Sequence, residues 1–128
     1  MLSWDKYDFI ECLGAVPEGA EDGSFLFRVS KDGLRLEITV FPHDGSVELG
    51  GDFYIDLYRE GADKPLFFTK IFQSPAARYV KYPNGWGCLE VAAPCRNVYF
   101  EEEWMIPMGA RIQVDPTISV EIFQPSAG

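Results

Sequence analysis

The stretch Phe25-Leu26-Phe27-Arg28-Val29-Ser30-Lys31-Asp32-Gly33-Leu34-Arg35-Leu36-Glu37-Ile38-Thr39-Val40 decides the fold. Asp-Gly between two alternating segments favours a two-residue type I′ turn, because both central residues of that turn take positive φ. With Asp32 and Gly33 as the loop, Val29 meets Leu36, Phe27 meets Ile38 and Phe25 meets Val40. All six are apolar and share one face. On the other face Arg28 meets Glu37, a favourable cross-strand pair. A one-residue slip would set Val29 against Arg35 and turn the apolar row towards water. Turn chemistry and burial therefore agree on one register.

The same reasoning extends outward. Asp44-Gly45 predicts a second tight turn that places Val40 opposite Leu49, Leu36 opposite Phe53 and Leu34 opposite Ile55. The third strand would run from Val47 to about Arg59, with Gly50-Gly51 as a weak point or bulge. It carries Phe53, Ile55 and Leu57 inward, and Tyr54, Asp56 and Tyr58 outward. Its one flaw is Glu37 opposite Asp52, a like-charge pair. Leu66–Gln73 is apolar on both faces, which predicts a central or covered strand. Asn84-Gly85 predicts a further type I′ turn pairing Val80 with Leu89 and Tyr79 with Glu90, with Pro94 closing that hairpin. Val98–Phe100 starts another strand. Arg111–Val114 and Thr117–Phe123 alternate again, broken at Asp115-Pro116, where proline implies a bend or an edge.

Upstream of the opening hairpin, Gly14–Gly23 reads as an acidic loop with three glycines and Pro17. Ser3–Leu13 reads as a strand, since Tyr7, Phe9 and Glu11 alternate with Asp8, Ile10 and Cys12; Ser3 as the cap of a short helix is the competing reading. About eight short strands with little helix predict an all-β antiparallel sandwich or flattened barrel. The whole chain, 1–128, reads as one domain of ordinary size, able to bury a core without disulfides or metal.

Composition narrows the function classes. The net charge is −9, so a nucleic-acid partner is not expected. Residues 1–23 hold six acids against Lys6, and residues 97–128 hold five against Arg111. Residues 60–96 are mildly basic, with five cations against three acids. No apolar run approaches the ~20 residues of a spanning helix, and no basic segment precedes an apolar one at the N-terminus. The expectation is a cytoplasmic protein with no membrane association. Cys12, Cys88 and Cys95 fit reduced thiols there; a Cys88–Cys95 bridge is the alternative.

No nucleophile, phosphate-loop or metalloprotease motif is present. The one histidine, His43, sits beside a turn without oriented partners. Glu101–Glu103 cannot converge on a cation from an extended strand, and Asp22, Asp44, Asp63 and Asp115 fit ordinary turn chemistry. Neither catalysis, nor a cofactor, nor a metal is expected. The candidate binding residues are Tyr54, Asp56 and Tyr58, which share an outward face, and Trp86, which follows a tight turn. The alternative for that face is structural, beneath the N-terminal segment or a second sheet. The sequence thus predicts a non-catalytic domain whose partner is another protein, an inhibitor of immunity type being the concrete version. Acidity speeds encounter with a basic partner. A carbohydrate- or small-ligand-binding sandwich is the alternative. Pairing of two copies along a free sheet edge would make a homodimer.

Overall fold

The computed structural model describes residues 6–19, 21, 23–42, 51–74, 77–81, 83, 87–92 and 109–123. It is an all-β sandwich-like fold with one short helix. Among the described residues, helix α1 (Lys6–Leu13) precedes nine strands: β1 (Glu18–Gly19), β2 (Phe25–Lys31), β3 (Leu34–Pro42), β4 (Gly51–Arg59), β5 (Phe67–Ser74), β6 (Ala77–Lys81), β7 (Gly87–Ala92), β8 (Gly109–Gln113) and β9 (Ser119–Phe123). The first five form one sheet in the order β1-β2-β3-β4-β5, and the last four a second in the order β6-β7-β8-β9. Every described pairing is antiparallel.

The β2–β3 hairpin has the register that its sequence predicts: Phe25 pairs with Val40, Phe27 with Ile38, Val29 with Leu36 and Arg28 with Glu37. Asp32 and Gly33 take φ of 54° and 78°, the left-handed pair that a type I′ turn needs. Phe27, Leu36, Ile38 and Val40 are fully buried. Across the gap, Leu89, Val91, Ala110 and Ile112 of the second sheet are buried as completely, and both inner faces belong to one cluster.

Four expectations are corrected. The N-terminal segment is helical, not extended. A helix places Phe9 and Leu13 one turn apart on one face, and both are buried, while Tyr7 stays 70% exposed. The Phe9 ring lies 5.3 Å from Phe27 and 5.8 Å from Phe53, filling space between the sheets that a flat strand would leave open. The helix stops at Gly14, whose φ is +68° and whose amide donates to the Ile10 carbonyl at 2.9 Å. Part of the loop that follows is ordered as β1, which pairs with the start of β2.

The β3–β4 register is shifted by four residues. Val40 pairs with Phe53, Ile38 with Ile55 and Leu36 with Leu57, and the pairing ends at Pro42 opposite Gly51. A four-residue shift leaves every side chain on its expected face. The observed register matches large apolar residues to one another, whereas the expected one would set Ile38 against Gly51. Asp44-Gly45 lies outside the described residues. The like-charge pair is therefore Glu37 with Asp56, and Asp52 faces Phe41.

The third correction concerns β5. Among the described strands it stands at the edge of its sheet, not at the centre. Its inner face carries buried Ile71, while Phe68 and Phe72 are 63% and 51% exposed on the outer face. The irregularity expected near Gly50-Gly51 does fall beside Gly51, but the extra residue is on β5. Phe72 and Gln73 together oppose Asp52, Gln73 takes φ of 54°, and its amide donates to Asp52 Oδ1 at 2.7 Å.

Fourth, the β6–β7 register differs by one residue: Tyr79 pairs with Leu89 and Val80 with Cys88. That step brings Arg78 opposite Glu90, where Arg78 Nε donates to Glu90 Oε1 at 2.9 Å. The expected register would have set Tyr79 there and left the buried carboxylate without that cation. Asn84-Gly85, Pro94 and Val98–Phe100 lie outside the described residues. β8 and β9 occupy the two C-terminal segments read as alternating, with Asp115-Pro116 between them.

At Gly51 the neighbouring β3 backbone leaves no room for a side chain. A Cβ there would stand 2.5 Å from the Phe41 carbonyl oxygen and 3.1 Å from Pro42 Cα, neither of which can rotate away. Gly51→Ala is expected to cost about 1–3 kcal/mol, the scale of an overpacked site. Urea unfolding measures it; a change within a few tenths of a kcal/mol would show that the β3–β4 end opens freely.

Candidate functional site

The outer face of β3, β4 and β5 gathers the aromatic side chains of Phe41, Tyr54, Tyr58, Phe68 and Phe72. Alternation along β4 sends Tyr54, Asp56 and Tyr58 to this face, because Phe53, Ile55 and Leu57 turn to the core. All three predicted residues are half-buried. Helix α1 and the second sheet join the core from the opposite side of the sheet, so neither covers this face.

Tyr54 is the centre of an aromatic group. Its ring lies 5.0 Å from Phe41 and 5.9 Å from Phe72, the second contact edge-on. Lys70, its partner on β5, sits 4.9 Å over the ring. At the other end Arg35, opposite Tyr58, places its guanidinium 4.3 Å over that ring. The same guanidinium donates to Glu37 Oε2 at 2.8 Å and to the Ala62 carbonyl at 3.2 Å. Arg28 reaches the same Glu37 oxygen at 3.4 Å. Each tyrosine of this face thus already holds a cation over its ring.

Asp56 lies between the two tyrosines, with Glu37 opposite on β3 and Phe68 opposite on β5. Among the described residues no cation stands within ion-pair distance of its carboxylate. Burial, and then the Glu37 charge, raise the Asp56 carboxyl above its ordinary value, with Lys70 opposing. Burial, Asp56 and Glu37 likewise raise the Tyr58 phenol, against Arg35.

These shifts have a sign in stability. A carboxyl whose folded pKa is raised favours folding only while protonated, below its unfolded value near 3.9. That contribution is lost as pH rises through the folded pKa, so at pH 7 the charged form opposes folding. Asp56→Asn removes the charge and is expected to stabilise the protein at pH 7 by about 0.5 kcal/mol, the scale of an exposed cross-strand pair after solvent screening. The gain should shrink by pH 4. Urea unfolding at both values checks this; equal gains at the two pH values would contradict it.

Phe41, Phe68 and Phe72 join this face without having been expected from alternation along β4 alone. The signal was present in Leu66-Phe67-Phe68 and Ile71-Phe72, where apolar residues occupy both faces of one strand. Double burial was one solution; an edge strand with one apolar face bare is the other. Trp86 and His43 lie outside the described residues, as do Cys95, Asp22, Asp44 and Glu101–Glu103. Cys12 is half-buried in α1, and burial, with the Cys88 thiol and the Asp8 and Glu11 carboxylates adding, pushes its thiol up to about 12. The side chain packs against the core, and a raised thiol disfavours the reactive thiolate. Among the described residues no three His, Cys, Asp or Glu side chains converge as a metal centre would require. No described helix is long and apolar enough to cross a membrane.

No family model matches this sequence, and no curated protein does. The fold is similar to that of a chain in the contact-dependent growth inhibition toxin–immunity protein complex from Klebsiella pneumoniae 342, with a TM-score of 0.68 over 94% of this chain and 94% of that one. Sequence identity is 13%, so the likeness is one of fold.

Proposed function

We propose that this chain is an immunity-type inhibitor, a non-catalytic cytoplasmic domain that neutralises a basic protein partner by binding it. The observation that carries the reading is the bare aromatic side of an edge strand. Phe68 and Phe72 stand more than half exposed beside Tyr54, Asp56 and Tyr58, in a chain of net charge −9. Large exposed rings on a sheet face are the composition of a binding surface, because leaving them in water is unfavourable. An acidic surface speeds encounter with a cationic protein. The fold shared with a chain of a toxin–immunity complex supports the same reading. Tyr54, Asp56, Tyr58 and Trp86 are the proposed contact residues.

The sugar-binding alternative has less support on this face. A sugar stacks on an open ring, and Lys70 and Arg35 already lie over Tyr54 and Tyr58. The test is genetic and biochemical together. The chain, tagged in its native host, is expected to retain a stoichiometric protein that arrests growth when expressed alone. Co-expression of this chain should relieve the arrest. A retained protein without toxicity, or an arrest that persists, would refute the inhibitor reading; recovery of a homodimer alone would also do so.

A further inference from the structure

The geometry points to an arginine side chain of a basic protein partner as the group that docks on the outer sheet face, seated against Asp56, Glu37 and the exposed ring of Phe68. The inference rests on the reading of this face as a partner-binding surface and states the chemistry of its centre. Three observations lead to it. The first is that Asp56 and Glu37 oppose each other directly in the β3–β4 register, on a half-exposed face. Like charges so placed oppose each other, and while Glu37 bonds Arg28 and Arg35, no cation among the described residues lies within ion-pair distance of Asp56. A cation from outside converts that repulsion into attraction.

The second observation is geometric matching. Phe68 pairs with Asp56 across β4–β5 and is 63% exposed. Both tyrosines flanking Asp56 carry a cation over the ring, Lys70 at 4.9 Å and Arg35 at 4.3 Å, whereas among the described residues Phe68 carries none. The face therefore holds two ring–cation pairs, and between them the bare ring of Phe68 lies beside a carboxylate that has no ion-pair partner among the described residues.

Third, the chemistry selects guanidinium over ammonium. A planar guanidinium stacks on a ring while its edge donates two hydrogen bonds to carboxylate oxygens. Both recorded bonds to Glu37 end on Oε2. A partner guanidinium lying on Phe68 would reach Asp56 with its fork and approach the remaining Glu37 oxygen. An ammonium, compact and strongly hydrated, uses the ring less well. Charge complementarity thus favours a basic partner, and the exposed Phe68 ring beside Asp56 favours arginine.

The test is a titration of the whole chain, followed by NMR on ring resonances, with Ac-Gly-Arg-Gly-NH2 and its lysine and norleucine counterparts. The arginine peptide is expected to shift the Phe68 and Tyr58 rings saturably, and to bind at least about threefold tighter than the lysine peptide. Asp56→Asn, which preserves shape, should weaken arginine binding by about fivefold, roughly the loss of one charged hydrogen bond at a solvated site. Glu21→Gln, an exposed acid in the loop before β2, should leave it unchanged. Equal shifts from the norleucine peptide would overturn the proposal, as would binding unaffected by Asp56→Asn. If the titration fails while the chain still relieves growth arrest, the arginine seat is wrong and the inhibitor function stands. If it succeeds and Asp56→Arg also abolishes relief of arrest, both hold.

Discussion

Replacing Phe9 with alanine is expected to lower the unfolding free energy by about 3–5 kcal/mol and the thermal midpoint by roughly 10–20 °C. Phe9 is fully buried, and its ring touches Phe27 of β2 and Phe53 of β4 while its own helix packs on β6 and β7. Phe9 thus ties the helix to the first sheet, while the helix itself packs on the second. Truncation removes the transfer free energy of a benzyl group and leaves a void that two sheets of fixed register cannot close. Tyr7→Ala supplies the contrast. Tyr7 is 70% exposed, and its loss should stay within about 0.5 kcal/mol. An extended segment would put residues 7, 9 and 13 on the same side, so the contrast with Tyr7 separates helix from strand, and the second probe of the buried face is Leu13. It is buried one helical turn beyond Phe9, and Leu13→Ala should cost about 2–4 kcal/mol. Urea denaturation of the three variants reads all of this at once. A Phe9→Ala loss below about 1 kcal/mol would mean that the helix is not seated between the sheets.

The same residue shows where sequence reasoning succeeds and where it stops. The β2–β3 hairpin was legible because a local signal, Asp32-Gly33, and a long-range one, the row Phe25, Phe27 and Val29 against Val40, Ile38 and Leu36, admit one register between them. At β3–β4 the faces were legible and the register was not. An even shift leaves the burial pattern unchanged, so only the matching of Phe53 to Val40 and Ile55 to Ile38 separates the solutions. The N-terminal segment is eight residues long, short enough that Phe9 and Leu13 satisfy a helix while Tyr7, Phe9 and Glu11 satisfy a strand. The space between the sheets chooses, and that space is a property of the whole fold.

For the candidate face, Tyr54, Asp56 and Tyr58 could be placed together because they share one strand and one parity. Their setting could not. Phe41, Phe68, Phe72, Lys70 and Arg35 reach the face from two neighbouring strands, and assembling them needs the very registers that alternation leaves open. β5 was misplaced for a related reason. Apolar residues on both faces describe equally a strand buried twice and an edge strand whose outer side awaits another molecule. In the fold β5 leaves Phe68 and Phe72 exposed on its second face, and that exposure is what motivates the proposed binding surface.

Glu90→Ala is expected to destabilise the protein by about 3–5 kcal/mol, and the reason separates the two outer faces. Glu90 is 1% exposed and stands in a ladder that crosses the second sheet through Arg78, Glu90, Arg111 and Glu121, each opposite the next. Its two oxygens accept from Arg78 Nε at 2.9 Å and from Arg111 Nη2 at 3.3 Å, and Arg111 Nη1 reaches Glu121 at 3.3 Å. The two arginine side chains are only 20% and 17% exposed. Removing the carboxylate leaves two poorly hydrated guanidinium groups facing each other, and that residue of uncompensated charge dominates the cost. Glu90→Gln keeps the shape and the acceptor and should cost less, about 1–3 kcal/mol. The exposed pair of Arg28 and Glu37, at 3.4 Å, is the control and should couple by less than about 1 kcal/mol in a double-mutant cycle. A Glu90→Ala loss as small as that control would show the ladder to be screened by solvent. If the large value holds, the charges of the second sheet are matched within the protein and Glu90 variants that stay folded should still bind the partner. The unmatched charge at Asp56 is on the other sheet, and substitutions there should weaken binding while leaving the fold as stable as before or more so.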